Sequence, residues 1–324
     1  MSVFDPKRTL GVAPGPLNQR SQSRPAATPL GRCSALAYAR TVLAIILASL
    51  ATSAAPVADH RASLDLVYRH VGDWRGQLDI HVPVAAGPRP ALIYFHGGGW
   101  RGGSRKAVAD HLAPYLARGF IVIAVSYRGA RIALAPAAVT DARCALHWAV
   151  NNAARYRIDK SRIVLSGHSA GGHLALIASY LTPAAGLDAE CRSDQNAKPA
   201  AVVAWNAPSD LRQYMLARRA DGDPIEWLQS AEKAPKLADA ISPISYARSG
   251  MPPTISVHAV ADPEIPHAQA AKLHARLRAG NVRNELVTLQ SNGHLTPEHP
   301  PSELSRAYDR IFEFLRRSGV LHGR

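Results

Sequence analysis

The 324-residue sequence predicts an α/β fold in which a mostly parallel sheet is covered by helices on both faces. Three observations predict it. Short, continuously apolar runs of strand length recur along the chain. Segments of helix length alternate with them. Two of the apolar runs end directly in glycine-rich turns, as strands do where they feed the catalytic edge of an open α/β sheet.

The elements follow in order. Residues 63–67 and 78–82 alternate in polarity and read as antiparallel edge strands. Residues 91–95 (Ala-Leu-Ile-Tyr-Phe) form the first buried strand. A helix is expected over 106–118, stopped by Gly119. Residues 120–125 are a buried strand, and 137–154 a long helix with Ala145, Trp148 and Ala149 on one face. Strand 162–166 precedes a helix at 172–178, and further strands fall at 200–205, 253–260 and 284–290. Helices at 267–279 and 302–317 flank the last strand. Residues 211–250 break this rhythm. They read as a small lid or pocket wall that uses Tyr214, Met215 and Trp227, or as an ordinary surface excursion. No internal repeat is present.

Composition narrows the class. The chain is 47% hydrophobic, which fits a globular protein with a substantial core. Its formal charge is +14, but the charge is dispersed; residues 1–55 hold six Lys/Arg against one acid. No basic cluster with interleaved aromatics appears, so no specific nucleic-acid partner is expected. The first 32 residues are rich in Pro, Ser, Arg and Gly. Arg40 then leads into an apolar stretch, 41–50, and the small residues Ala51-Thr52-Ser53-Ala54-Ala55. This is the pattern of an export signal, and the run is shorter than the ~20 residues a spanning helix needs. Residues 1–55 are therefore read as an N-terminal extension with signal peptide, and 56–324 as the α/β domain that carries whatever chemistry the chain performs. The protein is expected to be secreted or periplasmic, with membrane contact only through residues 41–55 if they stay uncleaved. An oxidising compartment permits a bridge between Cys144 and Cys191, although nothing in the sequence places them within reach. No Cys/His spacing resembles a metal site, and no cofactor is expected.

Two motifs carry chemistry. Gly167-His168-Ser169-Ala170-Gly171 lies between a strand and a helix. A serine at such a turn is presented as a nucleophile, and the helix N-terminus aims free N–H groups at developing negative charge. Taken alone, the motif also fits a glycine-rich turn whose serine caps the helix. His96-Gly97-Gly98-Gly99-Trp100 follows the first buried strand. Its glycines leave backbone N–H groups uncovered, as an oxyanion requires. Gly98 and Gly99, with the N–H of Ala170, are the candidate oxyanion donors. His96 reads as a brace for that loop.

A serine hydroxyl needs a base, and the base needs an orienting acid. Asp262 follows strand 253–260 in a turn and is the favoured acid, with Glu264 as runner-up; Asp210 reads as a capping residue. Among 14 histidines, His294 sits behind Gly293 past the last strand, where the base of such an architecture belongs. His258 reads as a core residue, His267 and His274 as solvated, and His168 as packed beside the nucleophile. His299 stays open as a second base candidate.

Together, His96-Gly97-Gly98-Gly99-Trp100, Tyr127-Arg128, the segment from Gly167 to His173, and Gly293-His294 resemble the α/β-hydrolase fold. The resemblance is to the carboxylesterase branch that includes hormone-sensitive-lipase-like and feruloyl-esterase-like enzymes. It implies Ser169 as nucleophile, Asp262 as acid, His294 as base, and Gly98, Gly99 and Ala170 as oxyanion donors, acting on a small-molecule ester with a small or aryl group. The chain departs from the family pattern before Asp262, where Ala259 stands in place of the usual glycine. It departs again after Arg128, where Gly129-Ala130-Arg131 intervenes. An arylformamidase-like amide hydrolase, or a non-catalytic binding protein on the same scaffold, are the competing readings.

Overall fold

The computed structural model describes residues 59–182, 185–187, 189–191, 197–220, 225–228 and 234–321. The expected leader, residues 1–55, lies outside the described residues. Among the described residues, eight strands form one sheet: β1 (His60–Val71), β2 (Trp74–Pro83), β3 (Arg89–Phe95), β4 (Ile121–Val125), β5 (Ile158–His168), β6 (Ala201–Trp205), β7 (Thr254–Ala261) and β8 (Asn284–Asn292). Their order is β1-β2-β4-β3-β5-β6-β7-β8. The first pair is antiparallel, and β2 is antiparallel to β4. From β4 to β8 every pairing is parallel.

The central strands are apolar where both of their faces are covered, as along Ile121–Val125 and Ala201–Trp205. On β3, Ala91, Ile93 and Phe95 point into one core and Leu92 and Tyr94 into the other. The first core lies under helices α2 (Ala137–Asn151) and α3 (Ala170–Tyr180). The second lies under α1 (Ala109–Leu116) and α7 (Pro301–Arg317). Helix α7 repeats its apolar residues at helical spacing, so Ala307, Ile311, Phe314 and Leu315 are buried while its arginines face water. Between β6 and β7 run α4 (Leu211–Ala220) and α5 (Ala234–Ala240), and α6 (Ala268–Ala279) joins β7 to β8. Among the described residues no helix is long and apolar enough to cross a membrane.

The structure adjusts several expected elements. The helix expected over 106–118 opens as a separate 3₁₀ turn at Arg105–Ala107, capped by the Ser104 hydroxyl, and Gly119 ends it at φ +76°. The helix expected over 137–154 breaks at Asn152, whose side chain donates to the Trp148 carbonyl, and a single turn, Ala153–Tyr156, follows. His274 is fully buried rather than solvated, and its Nδ1 meets Asn284 Oδ1 at 3.0 Å. It lies on the inner face of α6, beside Ala270, Leu273 and Leu277.

Cys144 on α2 and Cys191 are joined by a disulfide, a contact between residues 47 positions apart. Closing a loop of that length restricts the unfolded chain by about 4 kcal/mol in the chain-entropy model. Reduction with a phosphine should therefore lower Tm markedly. It should leave kcat unchanged at 25 °C, because neither cysteine lines the cleft that holds Ser169 and His294. Paired thermal melts and rate assays check this.

Among the described residues, several enclosed imidazoles are held neutral. Burial pushes His111, His173, His258 and His274 down to about 4, and His168 to about 3. The unfolded chain binds protons at these positions near pH 6.5, where the folded chain does not. Stability should thus fall as pH drops from about 6.5 towards 4, at about 2–4 °C of Tm per kcal/mol for a domain of this size. Calorimetric melts across that window test the sign. A Tm that is flat or rises on acidification contradicts it.

Candidate active site

Ser169 stands between the end of β5 and the start of α3, with φ +56° and ψ −122°. A non-glycine residue adopts that conformation only under constraint. The constraint is the close packing of the start of α3 against the ends of β5 and β3. A side chain on Gly167 would overlap the backbone of Gly171, and one on Gly171 would overlap the carbonyls of Phe95 and His96. Glycine two before and two after the serine is thus a steric requirement. The Ser169 hydroxyl makes no cap hydrogen bond to α3, so it does not serve as a helix cap. Its N–H donates to the Trp205 carbonyl at 2.8 Å, which ties the turn to β6.

The three candidate triad residues meet. Ser169 Oγ lies 2.8 Å from His294 Nε2. His294 Nδ1 lies 2.8 Å from Asp262 Oδ2 and 3.1 Å from Oδ1. The acid is held by its own turn, since Oδ1 accepts the N–H groups of Glu264 at 2.8 Å and Ile265 at 2.9 Å. Burial alone would raise the Asp262 carboxyl. The hydrogen bond from His294 and these two amides outweigh it and hold the group below the usual carboxylate value. Asp262 is therefore an anion at neutral pH. It fixes the proton of His294 on Nδ1 and leaves Nε2 free to accept from Ser169.

The glycine loop completes one wall. Gly98 has φ +117° and Gly99 φ +60°, conformations that favour glycine. The Gly98 carbonyl turns away to accept from Arg101 and Gly102, at 3.0 and 2.9 Å. Gly97, Gly98, Gly99, Ser169 and His294 line one cleft of about 580 Å³. Ala170 is buried directly behind Ser169 as the first residue of α3. His96 braces the loop: its Nδ1–H donates to the Gly97 carbonyl at 2.8 Å, and its ring stacks on Tyr127, whose hydroxyl donates to the His96 carbonyl.

The remaining sequence candidates fall elsewhere. Glu264 pairs with Arg218 at 3.2 Å and does not touch His294. Asp210 Oδ1 accepts from the Gln213 N–H and caps α4. His258 is buried and donates from Nε2 to the Ile265 carbonyl. His267 meets Thr288, and His299 meets Ser291. Among the described residues no cluster of His, Cys, Asp or Glu is arranged to hold a metal.

The BD-FAE family model matches residues 78–277, most of the described chain. The chain belongs to the BD-FAE family. Its relatives include Esterase LipC of Mycobacterium tuberculosis, 30% identical over 59% of this chain and 49% of that protein. Esterase LipQ of the same organism is 28% identical over 74% of this chain and 58% of that protein. The chain spans about half the length of these curated relatives. Among solved structures, a thermophilic esterase from Thermogutta terrifontis superposes with TM-score 0.67 at 26% identity, covering 84% of this chain and 96% of that one. Its butyrate-bound form superposes with TM-score 0.66 at 25% identity, covering 84% and 98%. The sheet and its flanking helices are those of the α/β-hydrolase fold, and the kinship is with carboxylesterases.

The sequence singles out Tyr214 and Trp227 as pocket-wall residues of this BD-FAE family member, whereas Arg218, Asn206 and Glu298 are not singled out. Tyr214 and Arg218 of α4 line the cleft. Trp227 is fully buried and stacks on Trp100 at 5.0 Å, which joins the 211–250 excursion to the glycine loop. The Trp100 indole N–H donates to His173 Nδ1 at 3.2 Å, and His173 Nε2–H donates to the Ile241 carbonyl. Asn206 and Glu298 both bond the backbone of His294. The one available signal for Asn206 was its position, immediately after a buried strand at the edge that holds the site.

Proposed function

We propose that the chain is a serine carboxylic-ester hydrolase that works through an acyl-enzyme. The hydrogen-bonded line from Asp262 through His294 to a strained Ser169 is the observation that supports this most strongly. Ser169 Oγ attacks the ester carbonyl carbon while His294 Nε2 takes its proton. Asp262 stabilises the imidazolium that results. The N–H groups of Gly98, Gly99 and Ala170 receive the oxyanion. The intermediate collapses, the ester C–O bond breaks, and His294 returns the proton to the departing alcohol. Water then attacks the acyl-enzyme by the same route and restores Ser169.

The substrate class proposed is a small or aryl ester. A cleft of about 580 Å³ suits it, and a related esterase binds butyrate. Residues 211–250 act as a pocket wall, a reading supported by Tyr214 and Arg218 at the cleft and by the Trp227–Trp100 stack. Export to an oxidising compartment is proposed from the N-terminal pattern and is supported by the Cys144–Cys191 bridge.

The test is a panel of p-nitrophenyl acetate, p-nitrophenyl butyrate, a feruloyl ester and N-formylkynurenine, with labelling by a fluorophosphonate. Turnover of the esters with adduct mass at Ser169 is the expected result. Preference for N-formylkynurenine would move the reading to an amidase. Folded protein that neither turns over nor labels would make it a binding protein.

A further inference from the structure

The imidazole of a general base must stay put while its own hydrogen bonds change. His294 Nε2 gives up its bond to Ser169 Oγ in every cycle, so that bond cannot be the fixed anchor. The backbone carbonyl of His294 has no part in the chemistry. It accepts two buried donors: His168 Nε2–H at 2.6 Å and Asn206 Nδ2–H at 2.8 Å. His168 approaches from the nucleophile turn and Asn206 from the end of β6. On the other side of the peptide, Glu298 accepts the N–H groups of His294 and Leu295, at 2.7 and 2.9 Å. Gly293, with φ +142°, offers the loop no stiffness of its own.

Asn206 has the features of a residue kept for this contact. It is 2% exposed and holds φ +43°, a left-handed conformation that costs a non-glycine residue free energy. Both ends of its amide are used. While Nδ2 donates to His294, Oδ1 accepts the Ala259 N–H of β7 at 3.1 Å. Its own N–H donates to the Val257 carbonyl at 2.9 Å. One side chain therefore ties the base loop to the strand that delivers Asp262. From this geometry we propose that Asn206 is a positioning residue for His294, acting through the His294 carbonyl to hold the base between Asp262 and Ser169. The inference rests on the reading of His294 as the base.

The test uses the full chain with Asn206→Gly and Asn206→Asp. Glycine tolerates the positive φ and removes only the side chain. It should lower kcat on the order of a hundredfold, the cost of a small misplacement of a reacting group, with KM little changed. In Asn206→Asp the introduced carboxyl keeps an acceptor for Ala259, but it donates to the His294 carbonyl only while protonated. Its kcat relative to wild type should therefore fall as pH rises, a profile that a purely structural role does not produce. Tm recorded at each pH separates misfolding from misplacement. Wild-type kcat in both variants, or losses that follow KM or Tm in place of kcat, would overturn the proposal. If the glycine variant does not fold, the pH profile of Asn206→Asp carries the decision. Wild-type protein that neither hydrolyses esters nor labels with fluorophosphonate would instead show that the esterase reading has failed.

Discussion

Ser169→Ala should lower kcat for a short p-nitrophenyl ester by roughly a millionfold, the loss seen when a nucleophile that acts as one unit with its base is removed. The substitution deletes Oγ and nothing else. The turn conformation at φ +56° is imposed by the packing of α3 against the ends of β5 and β3, and the Ser169 N–H bond to Trp205 needs no side chain. Tm should thus stay close to wild type while turnover disappears. KM should change little, because the glycine loop and the cleft walls are untouched. The residual rate is whatever the oxyanion donors supply without covalent attack. Steady-state kinetics and loss of the fluorophosphonate adduct measure it. Retained hydrolysis by a folded Ser169→Ala protein would sink the mechanism.

Asp262→Asn should cost about ten-thousandfold in kcat, the size of loss that follows from a misassigned imidazole tautomer. The local hydrogen bonds dictate how the new amide sits. Oδ1 of Asp262 accepts two backbone N–H groups, from Glu264 and Ile265, so an oxygen must remain there. The amide NH₂ is then forced into the Oδ2 position, 2.8 Å from His294 Nδ1. A donor facing Nδ1 makes that nitrogen the acceptor and moves the ring proton to Nε2. His294 can then no longer take the proton of Ser169. Glu264→Gln is the control, since Glu264 meets Arg218 in an exposed pair and should leave kcat nearly unchanged. If Glu264→Gln were the more damaging change, the acid would have been misassigned.

How much of the site was legible depended on how local its causes are. The nucleophile turn could be read because its mark sits within five residues, a serine flanked by two glycines where a strand meets a helix, even though the carbonyls of Phe95 and His96 that demand Gly171 come from another strand end. The glycine loop could be read for the same reason. Asp262 is favoured over Glu264 from its place just past the strand, but two carboxylates two positions apart are told apart only once a turn orients one. In the structure Asp262 Oδ2 faces His294 while Glu264 leans toward α4. His274 misled because a helical histidine reads as solvated unless the facing partner is known; here Asn284 and the inner face of α6 enclose it. The Cys144–Cys191 pairing was equally closed to the sequence, because it depends on where a polar loop returns across α2.

By itself, the order of apolar runs determined the parallel sheet, its helical covers and the edge at which the chemistry gathers, because burial on both faces leaves a mark along each strand. The tertiary structure alone decided which distant groups converge on the carbonyl of His294. Asn206 lies 88 positions from it and His168 lies 126. A hydrogen bond between such partners leaves no periodic trace in the chain. Only the stacking of β5, β6 and β7 side by side brings their ends within reach of one loop.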